Sequence, residues 1–277
     1  MSYHISPNGP RPCKATVRKC PLGGEHFEDK KDAEAAFEAS LSASGSLSKK
    51  DSRLAPFTIA PIELDMEHFD TMVSLYGGSK RVAEEAKEVC VAIAAGEIPE
   101  RFPSSLQFHD DFKDTLTASL THSTLCELGY YGRATKATAE SIAANVGDGT
   151  VLDPMAGRGF FTKALRNAGV KTIASDDHSW SAQEQTEKLD AIESVKKYGN
   201  QISHVLLSWV PYGSDKDLEI LELCRKDYPH ITIINIGERR GCTGSDEFWE
   251  HAEEVELETP IAYSSTSSIH DFVAFVK

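Results

Sequence analysis

From residue 147 onward, short apolar runs alternate with stretches of helical period. Runs of strand length occupy Thr150 to Pro154, 171 to 176, 187 to 190, 204 to 209 and 231 to 238. The segments between them place apolar residues three and four apart, the spacing of one helix face. Several runs are apolar on consecutive residues (VLLSW, ITIINIG), which suits strands buried on both faces, as in a parallel sheet covered by helices. Two further runs, EVELETPIAY (254–263) and DFVAFVK (271–277), follow each other without a long helix and predict an antiparallel hairpin at the sheet edge. The pattern predicts an α/β fold with a doubly wound, Rossmann-like sheet.

Upstream, the pattern is mainly helical. GSKRVAEEAKEVCVAIAAGE places Val82, Ala86, Val89, Cys90 and Ile93 in one stripe, and ATKATAESIAANV ends at the turn GDG just before the first strand. A serine-rich stretch over 41–53 has linker composition. The expected organisation is a small N-terminal module (1–40), that linker (41–53), a helical accessory region (54–146) and the α/β domain (147–277).

Within the first forty residues, Asp29 is a candidate N-cap for a helix with Ala33, Ala36, Phe37 and Leu41 on one face. A unit this small lacks a core large enough to stand alone, which makes His4, Cys13, Cys20 and His26 candidate zinc ligands that would add folding energy. The six residues between Cys13 and Cys20 match no common zinc knuckle, and the expectation is packing and turn residues with no metal.

Composition narrows the partners. The chain of 277 residues carries a formal charge of −14, which disfavours a protein that grips nucleic acid through its overall field and leaves room only for a local basic patch. There is no apolar run of membrane-spanning length, and the start MSYHISPNGP lacks a secretory apolar segment, so the expectation is a cytoplasmic protein with no membrane partner. Six scattered cysteines are too sparse for a disulfide framework.

Ligands of doubly wound sheets sit beyond the carboxyl ends of the strands, so strand ends carry the candidate chemistry. Asp153 ends the first strand and precedes Ala156, Gly157, Arg158 and Gly159, a turn whose small residues Ala156, Gly157 and Gly159 admit a ligand and tolerate turn dihedrals. Asp176 ends the second strand, nineteen residues beyond Gly157, at the spacing of an acid that accepts hydrogen bonds from ribose hydroxyls. A carboxylate four residues before Gly157 repels pyrophosphate and suits a cationic amino acid moiety.

The stretch DPMAGRG resembles the first cofactor motif of class I S-adenosylmethionine-dependent methyltransferases, D-x-x-x-G-x-G, and is close to the variant found in nucleic-acid methyltransferases. The resemblance covers roughly residues 130 to 277. It implies S-adenosylmethionine as cofactor, with Asp153, Ala156, Gly157 and Gly159 near its methionine part, Asp176 on the ribose and Asp190 near the adenine amino group. SWVPYG (208–213) looks like the catalytic tetrad of amino-methylating enzymes, with Pro211 and Tyr212 aligned. Trp209 stands where the family has a polar residue, and Ser208 lies one residue early, facing the other way in a regular strand.

Glu238, at the end of the next strand, is the candidate base or acceptor-binding acid beside Pro211 and Tyr212. Arg239 and Arg240 are candidate anion contacts, Tyr130, Tyr131 and Arg133 candidate pocket closures, Trp180 a candidate adenine shelter, and His270 a structural residue. The N-terminal stretch resembles a module carried by actinobacterial and phage-borne proteins, which implies an attachment or delivery role. Two functions follow: a methyltransferase of unidentified acceptor, nucleic acid or small molecule, or a non-catalytic methyltransferase-fold binding module of phage or mobile-element origin.

Overall fold

The computed structural model describes residues 2–6, 9–13, 26–27, 31, 51–107, 111–180, 185–265 and 269–277. They belong to two units, Met1–Lys50 and Asp51–Lys277. In the first unit, β1 (Ser2–Ser6) pairs antiparallel with β2 (Gly9–Cys13) on one side and β3 (His26–Phe27) on the other. Apart from Lys31, the helix expected from Asp29 lies outside the described residues, as do Cys20 and the serine-rich stretch up to Lys50.

The second unit opens with four helices: α1 (Met66–Tyr76), α2 (Lys80–Ala94), α3 (Phe112–Glu127) and α4 (Lys136–Val146). Each starts at a residue whose side-chain oxygen accepts a backbone N–H of the first turn: Asp65, Ser79, Asp111 and Thr135. The α/β part then follows as β4 (Thr150–Asp153), α5 (Phe160–Asn167), β5 (Lys171–Asp176), β6 (Glu187–Lys188), α6 (Ala191–Tyr198), β7 (His204–Ser208), α7 (Lys216–Asp227), β8 (Thr232–Gly237), α8 (Asp246–His251) and β9 (Phe272–Val276). The strands form one mixed sheet in the order β6-β5-β4-β7-β8-β9, parallel except for β9, which runs antiparallel to β8. This is an α/β architecture compatible with a Rossmann-like fold.

Both faces of the sheet are buried, which explains the consecutive apolar residues. Val151, Leu206, Ile234 and Phe275 pack into one core, while their neighbours Leu152, Val205, Leu207, Ile233 and Ala274 pack into a second. The first core also takes in the α2 stripe Val82, Ala86, Val89, Cys90 and Ile93, so helical region and sheet share it. The segment before α1 is a strap bound to α5. Phe57 and Ile59 are buried, Arg166 Nη1 donates to the Ala55 carbonyl (3.2 Å), and Arg158 Nη2 donates to that of Ala60.

The expected edge hairpin is reduced. β9 forms, but of 254–263 only Glu254 bridges Val276, with Glu253 and Lys277 exchanging backbone hydrogen bonds of 3.0 and 2.9 Å. Beyond Val255 the chain leaves β9, and the backbone N–H of Thr259 is taken up by Asn145 Oδ1 on α4 (3.3 Å). No helix among the described residues is long and apolar enough to cross a membrane.

Candidate functional site

Strand order reverses between β4 and β7: β5 and β6 lie to one side of β4, and β7, β8 and β9 to the other. Connections that leave in opposite directions open a crevice at the carboxyl ends of such strands. There a cavity of about 390 Å³ is walled by residues from the ends of β4, β5 and β7, the start of α6, and the loop before α4.

The β4 end divides its residues between cavity and core. Asp153 reaches the wall but is otherwise enclosed, and its Oδ2 accepts from Thr162 Oγ1 (2.7 Å). Burial pushes its pKa up to about 7, against the Thr162 hydrogen bond and reinforced by the nearby charge of Asp176. Ala156 and Gly157 also line the cavity. Gly157 has φ +51°, and a Cβ added there would meet no atom within 4 Å. Its N–H donates to Asp176 Oδ2 (2.8 Å), and the N–H of His178 donates to Oδ1 (2.8 Å). Asp176 is thus fixed at the cavity wall by two backbone donors, each oxygen retaining lone-pair capacity.

Arg158 and Gly159 turn away from the cavity. The Arg158 guanidinium donates to the Leu128 carbonyl (2.6 Å) and to that of Ala60, fastening the strap to the end of α3. Gly159 has φ +79° and lies under the Phe57 ring, outside the cavity lining. Its expected place beside a cofactor is therefore corrected: close packing against a buried aromatic ring occupies that side of the residue.

Asp190 lines the far end, where its Oδ1 caps α6 by accepting from the Ile192 N–H (2.9 Å). The Lys216 ammonium lies 3.6 Å from Asp190 Oδ2 and 3.5 Å from Glu219. Among the described residues that line the cavity, Lys216 is the one cation, beside Asp153, Asp176, Asp177 and Asp190. The cavity therefore favours positive or neutral groups over anions.

At the β7 end, Trp209 adopts φ +53°, the left-handed region that bulky residues rarely enter. This breaks strand alternation, so Ser208 and Trp209 both line the cavity, and the expected outward placement of Ser208 is overturned. Trp209 Nε1 donates to Asp271 Oδ2 (3.3 Å), which also accepts from the Tyr263 hydroxyl. The indole lies between the rings of Tyr131 (6.0 Å between centroids) and His122 (5.9 Å), and Tyr131 also meets Trp180 (6.1 Å).

Behind these rings, buried Arg133 donates to the carbonyls of Tyr130 and Tyr131 (3.2 and 3.3 Å) and to His122 Nδ1 (2.5 Å). Burial first and the Arg133 charge second lower the His122 pKa to about 4, so the imidazole is neutral at pH 7. Arg133 thus builds the loop that carries Tyr131 without itself lining the cavity.

The convergence expected of Pro211, Tyr212 and Glu238 does not occur. Pro211 lines the cavity, but Tyr212 is 77 % exposed and outside the lining. The turn after β7 is pinned by a Pro211–Thr243 bridge and by Gly213 N–H donating to the Gly244 carbonyl (3.1 Å), with Tyr212 exposed at its tip. Glu238 is also outside the lining, held by its own surroundings: Oε2 accepts from the Cys242 N–H (3.0 Å) and Oε1 from the His270 N–H (2.8 Å). Burial opposes its charge, but those N–H donors outweigh it and hold the carboxyl below its usual range. Arg239 stacks on Trp249 and pairs with Glu254, and Arg240 pairs with Glu250.

Sequence reasoning did not identify Lys216, Asp271 or Gly132 as parts of the site. Gly132 lines the cavity where an added Cβ would overlap Ser208 Oγ and stand 2.9 Å from the Phe161 ring. Its place in GYYGRA gave the only local hint, a glycine where neighbouring side chains close on the backbone. Among residues whose side chains are described, no group of three or more His, Cys, Asp or Glu is placed to hold a metal ion. No protein-family model and no curated protein matches this chain.

Proposed function

We propose that the second unit is an S-adenosylmethionine-dependent methyltransferase. The observation that carries this reading is the position of Asp153, Asp176 and Asp190 around one cavity at the point of strand-order reversal, with Gly157 open to it. The residues fit the cofactor's chemistry. Asp176 has acceptor capacity for two ribose hydroxyls, Asp190 at the far end of the cavity would meet the adenine end, and Asp153 with the 154–157 turn would border the methionine end. The acidic wall suits the cofactor's cationic sulfonium and ammonium groups.

The cofactor, when bound, supplies a methyl group activated by the positive sulfur. The chain's own contribution is to hold both reactants in a preformed, partly apolar cavity. Ser208, Trp209, Tyr131 and Pro211 form the wall on the β7 side, where an acceptor would approach. The paired Lys216 and the carboxylates favour a neutral or cationic small molecule over nucleic acid.

Thermal melting with S-adenosylmethionine tests the reading. Saturating cofactor raises the melting temperature, because a ligand selective for the folded state stabilises it by mass action, and Asp176→Ala removes most of that rise. Unchanged melting together with no heat in calorimetry refutes it. Glu238 bound into its own loop favours a second reading, cofactor binding without transfer. In that case the cofactor binds but no S-adenosylhomocysteine forms with fractionated cell extracts.

A further inference from the structure

We propose that the aromatic side of the cavity, formed by Tyr131, Trp180 and Trp209, is a subsite for an organic amine bound as its cation. That this amine is also the methyl acceptor rests on the methyltransferase reading; its binding rests on the wall alone.

The loop before α4 builds that wall. A Cβ added to Gly129 (φ +70°) would stand 3.0 Å from Trp180 Cζ3, and one added to Gly132 would stand 3.2 Å from Trp209 Cδ1. The two glycines thus let one indole close on each end of the loop. Between them Tyr130 is buried, its hydroxyl donating to the Ala134 carbonyl (2.9 Å), while Tyr131 meets both indoles. Its ring lies 6.1 Å from that of Trp180 at 62° and 6.0 Å from that of Trp209 at 34°. All three rings line the cavity. Their successive tilts make the wall curved, which suits a compact, rounded head group better than a flat ring system.

Electrostatics selects the charge. Ring faces attract cations within about 6 Å, and the carboxylates of Asp176 and Asp177 line the same cavity. Hydrogen bonds from Ser179, including its N–H to Asp177 Oδ1 (2.7 Å), hold the Asp177 carboxyl below its usual range, so it is charged at neutral pH. The positive groups around the wall are engaged elsewhere. Arg133 donates to the Tyr130 and Tyr131 carbonyls and to His122, Arg158 donates to the carbonyls of Leu128 and Ala60, and neither lines the cavity. Lys216 lies against Asp190 and Glu219. The Ser208 hydroxyl, at the wall beside Trp209, can accept an amine N–H. Tyr131 and Trp180 are both exposed, so the wall reaches the cavity mouth, where an amine enters from solvent and returns its proton to it. In the transfer, the free-base nitrogen forms the bond to the methyl carbon as the carbon–sulfur bond breaks, with that electron pair left on sulfur and the positive charge passing to nitrogen.

Ligand-observed NMR titration of the full chain with three probes of similar shape tests the subsite: choline, its uncharged analogue 3,3-dimethyl-1-butanol, and the anion 3,3-dimethylbutyrate. Choline should bind at least about fivefold more tightly than the alcohol, and the anion more weakly than either. A smaller preference, or tighter binding of the anion, overturns the proposal. Tyr131→Leu and Trp180→Leu should each cut the preference for choline over the alcohol at least twofold, whereas Tyr131→Phe should retain it; a ratio unchanged in both leucine variants overturns the assignment to this wall. The preference should persist under saturating S-adenosylhomocysteine, and exclusion of choline by that ligand would mean that choline had occupied the cofactor's space, which also overturns the proposal. If neither S-adenosylmethionine nor S-adenosylhomocysteine binds while the preference and its loss in the leucine variants stand, the amine subsite holds and only the methyltransferase reading falls. Cofactor binding without a choline preference refutes the subsite alone.

Discussion

Gly157 and Gly159 stand two residues apart in one motif, both at positive φ, yet substitution by alanine has separable consequences. At Gly157 (φ +51°) an added Cβ meets nothing within 4 Å, so the stability cost is the left-handed backbone term alone, about 1–2 kcal/mol, partly offset by the lower entropy of the unfolded chain. At Gly159 (φ +79°) the same Cβ would stand 2.5 Å from Phe57 Cζ and closer still to Cε1. Phe57 is 2 % exposed and cannot swing into solvent, so overpacking adds about 1–3 kcal/mol. Gly159→Ala should therefore cost about 2–4 kcal/mol, which for a unit of this size lowers Tm by roughly 5–15 °C, against a few degrees for Gly157→Ala. Urea titration of both variants and of the same substitutions in a Phe57→Ala background measures the difference. With the ring removed, Gly159→Ala should cost only about as much as Gly157→Ala, a coupling on the order of 1–3 kcal/mol. Equal costs for Gly159→Ala with and without the ring would refute the packing explanation. The binding readout runs the other way: Gly157→Ala should weaken S-adenosylmethionine binding, because its Cβ enters the cavity, while Gly159→Ala should leave the affinity of the remaining folded protein nearly unchanged.

Asp153 has a folded-state pKa near 7, above its unfolded value, so the folded state holds the extra proton and this group's contribution to stability falls as pH rises from about 4 to about 7. Asp153→Asn, compared with the parent by urea titration, should therefore gain relative stability between pH 5 and pH 8; a constant difference would mean that Asp153 is already charged at pH 5. Arg133→Met should raise the His122 pKa from about 4 only part of the way to its usual value, since burial is the larger cause, and should destabilise the fold by about 1–3 kcal/mol, because the buried carbonyls of Tyr130 and Tyr131 and the His122 imidazole lose their donor. Proton NMR of the imidazole gives the first and thermal melting the second, and a fully ordinary His122 pKa would contradict the burial argument. A chain beginning at Asp51 should keep the parent's melting temperature and its response to S-adenosylmethionine, because Asp51–Lys277 is a compact unit that holds both core clusters and the cavity; loss of either would assign the first unit a part in the fold or the pocket.

The architecture was legible wherever burial imposes a period. The α2 stripe reads at helical spacing because one face of that helix is enclosed, and the central strands read as continuous apolar runs because each face meets its own core. The segment 254–263 misled for the same reason. Val255, Leu257 and Ile261 supply apolar positions, but the outer edge of β9 offers hydrogen bonds for only about one residue pair before the chain turns toward α4. Apolar spacing reports what a segment buries, and says nothing of how long a neighbouring edge remains available to it.

The β4–β5 side of the cavity was legible because its residues are placed by backbone that the strand ends define: Asp153 and Asp176 are the last residues of β4 and β5, and Asp190 caps α6. The β7 side was not, because there direction depends on single dihedrals and single hydrogen bonds. A tryptophan is not a residue from which positive φ is inferred, yet φ +53° at Trp209 admits both Ser208 and the indole to the cavity wall. The buried carboxylate of Asp271, sixty-two residues later in the chain, then receives the indole N–H. Adjacent strand ends led to the expectation that Tyr212 and Glu238 would meet, but adjacency of strands brings together backbones, not side chains. The turn that begins with Pro211 leaves Tyr212 exposed, and Glu238 satisfies its charge with the nearest N–H donors, those of Cys242 and His270. A carboxylate engaged in this way gains little by reaching toward a substrate. Under the proposed methyltransferase reading, acceptor binding on this side would fall to groups with unused capacity at the wall: the Ser208 hydroxyl and the faces of Tyr131 and Trp209.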